Sequence, residues 1–306
     1  MQATTEYISE CKKYETEIAQ QESLIVELEQ LASQKQDAIA RVVQEYESAA
    51  NDLKSSIQYA ESIQRAELPR DDEFKALFPD SFIFFEPRDI VSGDFYMCAS
   101  TSDCKIAIVA DCTGHGVPGG LLSMLGMSAL KDLLSKHKCA SRLDPAEMLD
   151  LIRSFFLSSL AEAAETDDIT VSDGMDISLC IFDNDFAHMR YAAANHTIYI
   201  ARNGEISKLK GSRMPIGRYP KQDEPFVSYE IELQKGDMVY LCSDGIQDQF
   251  GSPQNIKFTT KRLAAMLLEH RAKDTMTQYA DISAYVKEWE KGREQYDDQT
   301  LIGIRI

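Results

Sequence analysis

No glycine precedes Gly93 and no proline precedes Pro69, so residues 1–68 contain neither of the usual helix breakers. No run of about 18 apolar residues occurs anywhere, which leaves no candidate for a membrane-crossing helix. The N-terminus has no secretory-signal pattern. Positive charge is scarce, with 32 Lys and Arg against 50 Asp and Glu, a net charge of -18 and a pI near 4.7. That balance argues against nonspecific binding to nucleic acid or contact with an anionic membrane surface. The seven cysteines form no CxxC pair, and several sit in apolar runs where a thiol is a small core residue. A reduced, cytoplasmic setting follows as the expectation. GHGVPGG lacks the lysine of a phosphate loop, no dinucleotide fingerprint occurs, and His188 and His196 lack zinc-ligand spacing.

What is present falls into two parts. In residues 1–68 one seven-residue register is apolar throughout: Cys11, Ile18, Ile25, Ala32, Ile39, Tyr46, Leu53 and Ala60. Three residues further on stand Tyr14, Gln21, Leu28, Lys35, Val42, Ala49, Ser56 and Ile63, a second series with polar interruptions. These fit heptad positions a and d and predict a dimerising coiled-coil helix, a parallel homodimer in preference to an antiparallel hairpin. Gln21, Lys35 and Ser56 weaken the seam, as suits a helix pair that shifts rather than locks.

Pro69 and the polar cluster at 70–73 end that segment, and residues 69–306 read as one domain. With 44% hydrophobic residues, the chain of 306 can bury one sizeable core beside the extension. Strand-like runs occupy 81–86, 106–110, 177–182, 189–193, 198–201, 227–233, 238–242 and 301–306. Asn203-Gly204 marks a hairpin between 199–202 and 205–209. Helical stretches are expected at 120–137, 145–165 and 260–290. The fold class is α+β, an antiparallel β-sandwich flanked by helices.

Four short acidic motifs lie at 92–96 (SGDFY), 110–116 (ADCTGHG), 243–245 (SDG) and 297–300 (DDQT). Each is read as following a strand-like run, which would hold its carboxylate at the edge of the core. Several carboxylates converging repel one another unless a cation lies between them. All-oxygen ligation suits magnesium or manganese rather than zinc. A two-metal hydrolase site is the resulting expectation. Two cations about 4 Å apart would lower the pKa of water and neutralise phosphate oxygens.

The ordered motifs, with DIVSGDFY, CTGHGVPGG, AAANHTIYIARNGE, RMPIG, LCSDGIQDQFG and YDDQTLIGIRI around them, resemble the metal-dependent (type 2C, PPM) protein phosphatases, in particular their bacterial SpoIIE-type branch. The resemblance covers roughly residues 68–306 and implies the following roles. Asp111 would bridge two manganese or magnesium ions, with the Cys112 carbonyl as a further ligand. Asp94 would hold one ion, Asp244 and either Asp297 or Asp298 the other. Asp173 and Asp176 match a loop that binds a labile third ion in some relatives. His115 is the candidate general acid for the leaving serine oxygen, set against a mere helix-capping role. It stands four residues after Asp111, where animal members have histidine two residues after.

The implied function is a serine/threonine protein phosphatase whose substrate is a phosphorylated STAS-type anti-sigma-factor antagonist in partner-switching signalling. A histidine-kinase-like ATPase is the rival, because DCTGHG loosely resembles its DxGxG box, but it leaves SDG and DDQT without a role. A catalytically inactive scaffold is the other rival.

Overall fold

The computed structural model describes residues 2–136, 144–164, 174–220, 222–251 and 255–306. In chain order these form α1 (Gln2–Glu67), α2 (Asp71–Leu77), β1 (Ser81–Glu86), β2 (Asp94–Ser100), β3 (Cys104–Cys112), α3 (Gly116–Lys136) and α4 (Pro145–Ala164). Next come β4 (Gly174–Asp183), β5 (His188–Ala194), β6 (Thr197–Arg202), β7 (Glu205–Lys210), β8 (Ile216–Gly217) and β9 (Tyr229–Glu232). The chain ends with β10 (Met238–Cys242), α5 (Gly245–Asp248), β11 (Phe250–Gly251), β12 (Ile256–Lys257), α6 (Thr259–His270), α7 (Thr275–Glu290) and β13 (Gln299–Arg305).

Two compact units emerge, Met1–Ser56 and Ile57–Ile306. In the first, α1 runs uninterrupted, as the lack of glycine and proline predicts. Its a-position residues Ile18, Ile25, Ile39, Tyr46 and Leu53 are all exposed.

The second unit is built on two antiparallel sheets. One has the order β1-β13-β10-β6-β7, the other β2-β3-β4-β5-β9 with β8 beside β4. Alternation along each strand sorts side chains into three apolar layers. On β3, Ile106, Ile108 and Ala110 face α3 and α4, together with Met127, Leu130, Leu149 and Phe156. Ala107 and Val109 point the other way, into a layer shared with Ile198, Val239, Leu241, Ile302 and Ile304 of the opposite sheet. The far side of that sheet packs Tyr240 and Leu301 against Leu263 and Leu267 of α6 and Ile282 and Val286 of α7. The result is a helix–sheet–sheet–helix sandwich.

Several local expectations change. β2 is a strand that the sequence reading did not mark. The stretch at 260–290 is two helices, separated at 271–274, with Asp274 capping α7 through a 2.9 Å bond from Thr277 N. SGDFY and DDQT lead into β2 and β13 rather than following strands, so Asp94, Asp297 and Asp298 sit at strand beginnings.

Candidate active site

The site is where the inter-sheet layer turns acidic. Asp111 continues the parity of Ala107 and Val109, Asp94 that of Tyr96 and Cys98, and Asp176 that of Ser178 and Cys180. Register places Asp94 opposite Asp111 and Asp111 opposite Asp176, so three aspartates occupy one rung across β2, β3 and β4. Directly paired side chains on one face stand about 5 Å apart at Cβ, and like charges so placed repel. From the facing sheet, Asp244 follows β10 and Asp297 and Asp298 precede β13, at the same end because these strands are antiparallel neighbours.

Each carboxylate has its own environment. Asp94 is buried, and its Oδ2 accepts Ser243 Oγ at 2.6 Å and Thr300 Oγ1 at 2.7 Å from across the sandwich. Burial nonetheless pushes its pKa well above the usual carboxylate range, with Asp298 and Asp297 adding repulsion. Asp111 is also pushed well up, by burial first and then by Asp94, Asp244, Asp297 and Asp176. Burial raises Asp176 to about 6 despite a 3.1 Å bond from Asn195 Nδ2. Asp244 likewise rises to about 6 through burial and then repulsion from Asp248 and Asp297.

Asp298 and Asp297 differ. Asp298 is buried, and its two oxygens accept the backbone N–H groups of Arg88 and Gly93, each at 2.7 Å. It thereby clamps the loop that carries Asp94. Asp297 is half-buried and accepts only the 2.9 Å bond from its neighbour's N–H among the described residues. The loop must be glycine at 93, since a Cβ there would lie 2.5 Å from Gly114 O and 3.0 Å from Cys112 O.

His115 lies at the start of α3, exposed, with Nδ1 2.7 Å from Asp89 Oδ2. Cys112 is buried, its thiol pKa pushed well up by burial and then by Asp111, and its side chain packs in the layer with Ile108, Ala110 and Met127. Asp173 lies outside the described residues.

Several contributors lie inside the quoted motifs but carry no role in the motif reading. Ser243 and Thr300 supply the hydroxyls that hold Asp94, Asp89 meets His115, and Asn195 meets Asp176. The signal was inter-sheet parity at strand ends, the rule that also places the acids. Asn195 sits at φ 54, in the left-handed region that asparagine tolerates better than most residues. The adjoining cavity of about 80 Å³ is lined by Asp176, Asn195, His196, Tyr199 and Asp244, among others. His196 is 6% exposed, and burial pushes its pKa down to about 4, so the ring is neutral near pH 7.

These donors fit a hard divalent cation. They are carboxylate oxygens in mutual repulsion, which positive charge would relieve. Among the described residues no group of three or more His, Cys, Asp or Glu side chains is gathered closely enough to hold a metal ion by itself. Magnesium usually keeps several water ligands, so carboxylates would not have to complete its shell.

Two antiparallel sheets between helix pairs, with carboxylates gathered at one end of the inter-sheet layer, define a PP2C-type phosphatase domain. The SiaA-PP2C domain of Pseudomonas aeruginosa shares this fold at a TM-score of 0.75 and 32% identity, over 84% of this chain and 98% of that one. The serine threonine protein phosphatase PstP, solved in complex with two manganese ions, matches at a TM-score of 0.53 and 14% identity, over 74% and 96%. The phosphoserine phosphatase RsbU of Bacillus subtilis is 21% identical over 210 residues, 64% of this chain and 55% of that protein. The chain thus spans about half the length of that curated relative. Residues 102–306 match the family of stage II sporulation protein E, and the chain belongs to the SpoIIE family.

Proposed function

We propose that this chain is a manganese- or magnesium-dependent serine/threonine protein phosphatase in bacterial partner-switching signalling. Its substrate is a phosphoserine or phosphothreonine on a STAS-type anti-sigma-factor antagonist. The observation that carries the reading is the Asp94–Asp111–Asp176 rung with Asp244 and Asp297 facing it. Cations held there would lower the pKa of water and neutralise phosphate oxygens.

This chain's own residues divide the remaining work. Asp111, central on the rung, would be shared by two cations, with the Cys112 carbonyl beside it. Asp94, aimed by Ser243 and Thr300, would hold one of them. Asp244 and Asp297 would hold the other, because the oxygens of Asp298 are engaged by Arg88 and Gly93. Asp176 would hold a labile third ion. His115 gives a proton to the leaving serine oxygen, oriented by Asp89.

The exposed apolar stripe on α1 supports a homodimer through that helix. No described helix is long and apolar enough to cross a membrane, and we place the protein in the cytoplasm.

The experiment is hydrolysis of p-nitrophenyl phosphate and of a phosphoserine peptide with manganese and with EDTA, alongside ATP binding. Turnover with manganese, none with EDTA and no ATP binding is the expected outcome. ATP binding without turnover would instead support the kinase-like rival.

A further inference from the structure

A second cavity of about 200 Å³ is walled by the 195–197 corner and by residues 210–213. It shares Asn195, His196 and Thr197 with the cavity lined by Asp176 and Asp244. The 210–213 segment is held rigidly. Ser212 N donates to Ala193 O at 2.8 Å and Asn195 N donates to Ser212 O at 2.9 Å. Gly211 lies so near Ala193 that any Cβ would collide with its carbonyl.

Lys210 and Arg213 flank this pocket, both exposed. Among the described residues neither side chain meets an acid or makes a hydrogen bond, although Lys210 is paired through its backbone with Thr197. The chain has 50 acidic side chains against 32 basic ones. Two cations lining one pocket, with no acid beside them among the described residues, suit an anion from outside.

The phosphoryl group itself belongs in the first cavity, among the carboxylates and the cations they would hold. An anion in the second pocket must therefore come from another part of the same substrate. Electrostatic complementarity of this kind chooses partners more than it adds raw affinity. An acidic substrate approaching a protein of net charge -18 also needs a local reversal of sign.

We propose that this pocket receives an acidic side chain of the phosphoprotein, adjacent to the phosphorylated residue, and that Lys210 and Arg213 thereby set sequence preference. The proposal rests on the phosphatase reading above.

The test compares kcat/KM, with manganese present, for three substrates. These are p-nitrophenyl phosphate, a phosphoserine peptide with neutral flanks and the same peptide with acidic flanks. The intact chain should prefer the acidic peptide over the neutral one by about tenfold, the low end of what one charged hydrogen bond contributes. Lys210→Ala with Arg213→Ala should erase that preference through KM and leave p-nitrophenyl phosphate turnover unchanged. Lys210→Glu with Arg213→Glu should turn the preference toward a basic-flanked peptide.

A chain that hydrolyses all three substrates without favouring the acidic peptide overturns the pocket proposal alone. Equal losses on all three substrates in both double variants also overturn it. A chain that hydrolyses none of them overturns the phosphatase reading and this proposal together.

Discussion

Gln64 and Ser92 bond each other in both directions: Gln64 Nε2 donates to Ser92 O at 2.6 Å, and Ser92 N donates to Gln64 Oε1 at 3.0 Å. Gln64 Nε2 also reaches Ser123 Oγ of α3 at 2.7 Å, and Ser123 Oγ donates to Ser92 O at 3.0 Å. One buried amide therefore joins the last turns of α1, the loop before Asp94 and helix α3. Those bonds tie the last turns of α1 to the backbone two residues before Asp94.

Gln64→Ala should expose that dependence. Ser123 still satisfies the Ser92 carbonyl, but the buried Ser92 N–H loses its partner, at a cost of about 1–3 kcal/mol. For a domain of this size that lowers the melting temperature by roughly 2–10 °C. The manganese concentration for half-maximal turnover should rise as well. An unchanged melting temperature and manganese requirement would deny the amide this role.

The pH dependence follows from Asp176 and Asp244, each raised by burial to about 6 from 3.8. Without metal, the folded state binds protons at these positions more tightly than the unfolded chain does. Their contribution to stability is full below about pH 4 and is lost as pH rises through about 6. Manganese competes with those protons, so its stabilising effect should grow across the same window. Melting curves in EDTA and in manganese at pH 5 and 7.5 should show these opposite trends. A metal-free protein whose stability climbs through that window would contradict the assignment.

His115 separates two kinds of substrate. A serine alkoxide needs a proton to leave, whereas p-nitrophenolate leaves readily without one. His115→Ala should lower kcat on a phosphoserine peptide by roughly 100-fold and p-nitrophenyl phosphate turnover far less. Equal losses on both would reduce the 2.7 Å contact with Asp89 to a structural one.

The helix seam makes its own prediction. Cys11 is exposed and occupies an a position, which in a parallel dimer faces its counterpart. A short thiol-reactive crosslinker should join two full-length chains, and Cys11→Ser should abolish the product. A crosslink-free protein that still sediments as a dimer would point to antiparallel pairing.

The acids and the sandwich were legible because both obey strand alternation. IAIVAD carries its own parity, and that parity carries Asp111 to the inter-sheet face. β2 escaped notice because DFYMCAS mixes an acid, aromatics and small residues, and its pattern makes sense only beside β3. The break between α6 and α7 contains neither glycine nor proline, leaving Asp274 followed by Thr277 as its local mark. The division of labour between Asp297 and Asp298 depends on Arg88 and Gly93 approaching from some 200 residues away in sequence. Gln64, an e-position residue in a long polar helix, acquires its meaning from Ser92 and Ser123. Adjacent sequence records neither approach.

The most direct test is the number of manganese ions bound per chain, by equilibrium dialysis at pH 7.5, in the intact protein and in Asp111→Asn. The rung geometry predicts at least two ions in the intact chain, at most one in the variant, and loss of phosphoester hydrolysis with the missing ion. An intact chain that binds no manganese at millimolar concentration, or an Asp111→Asn chain that binds and hydrolyses as before, would contradict the two-cation site.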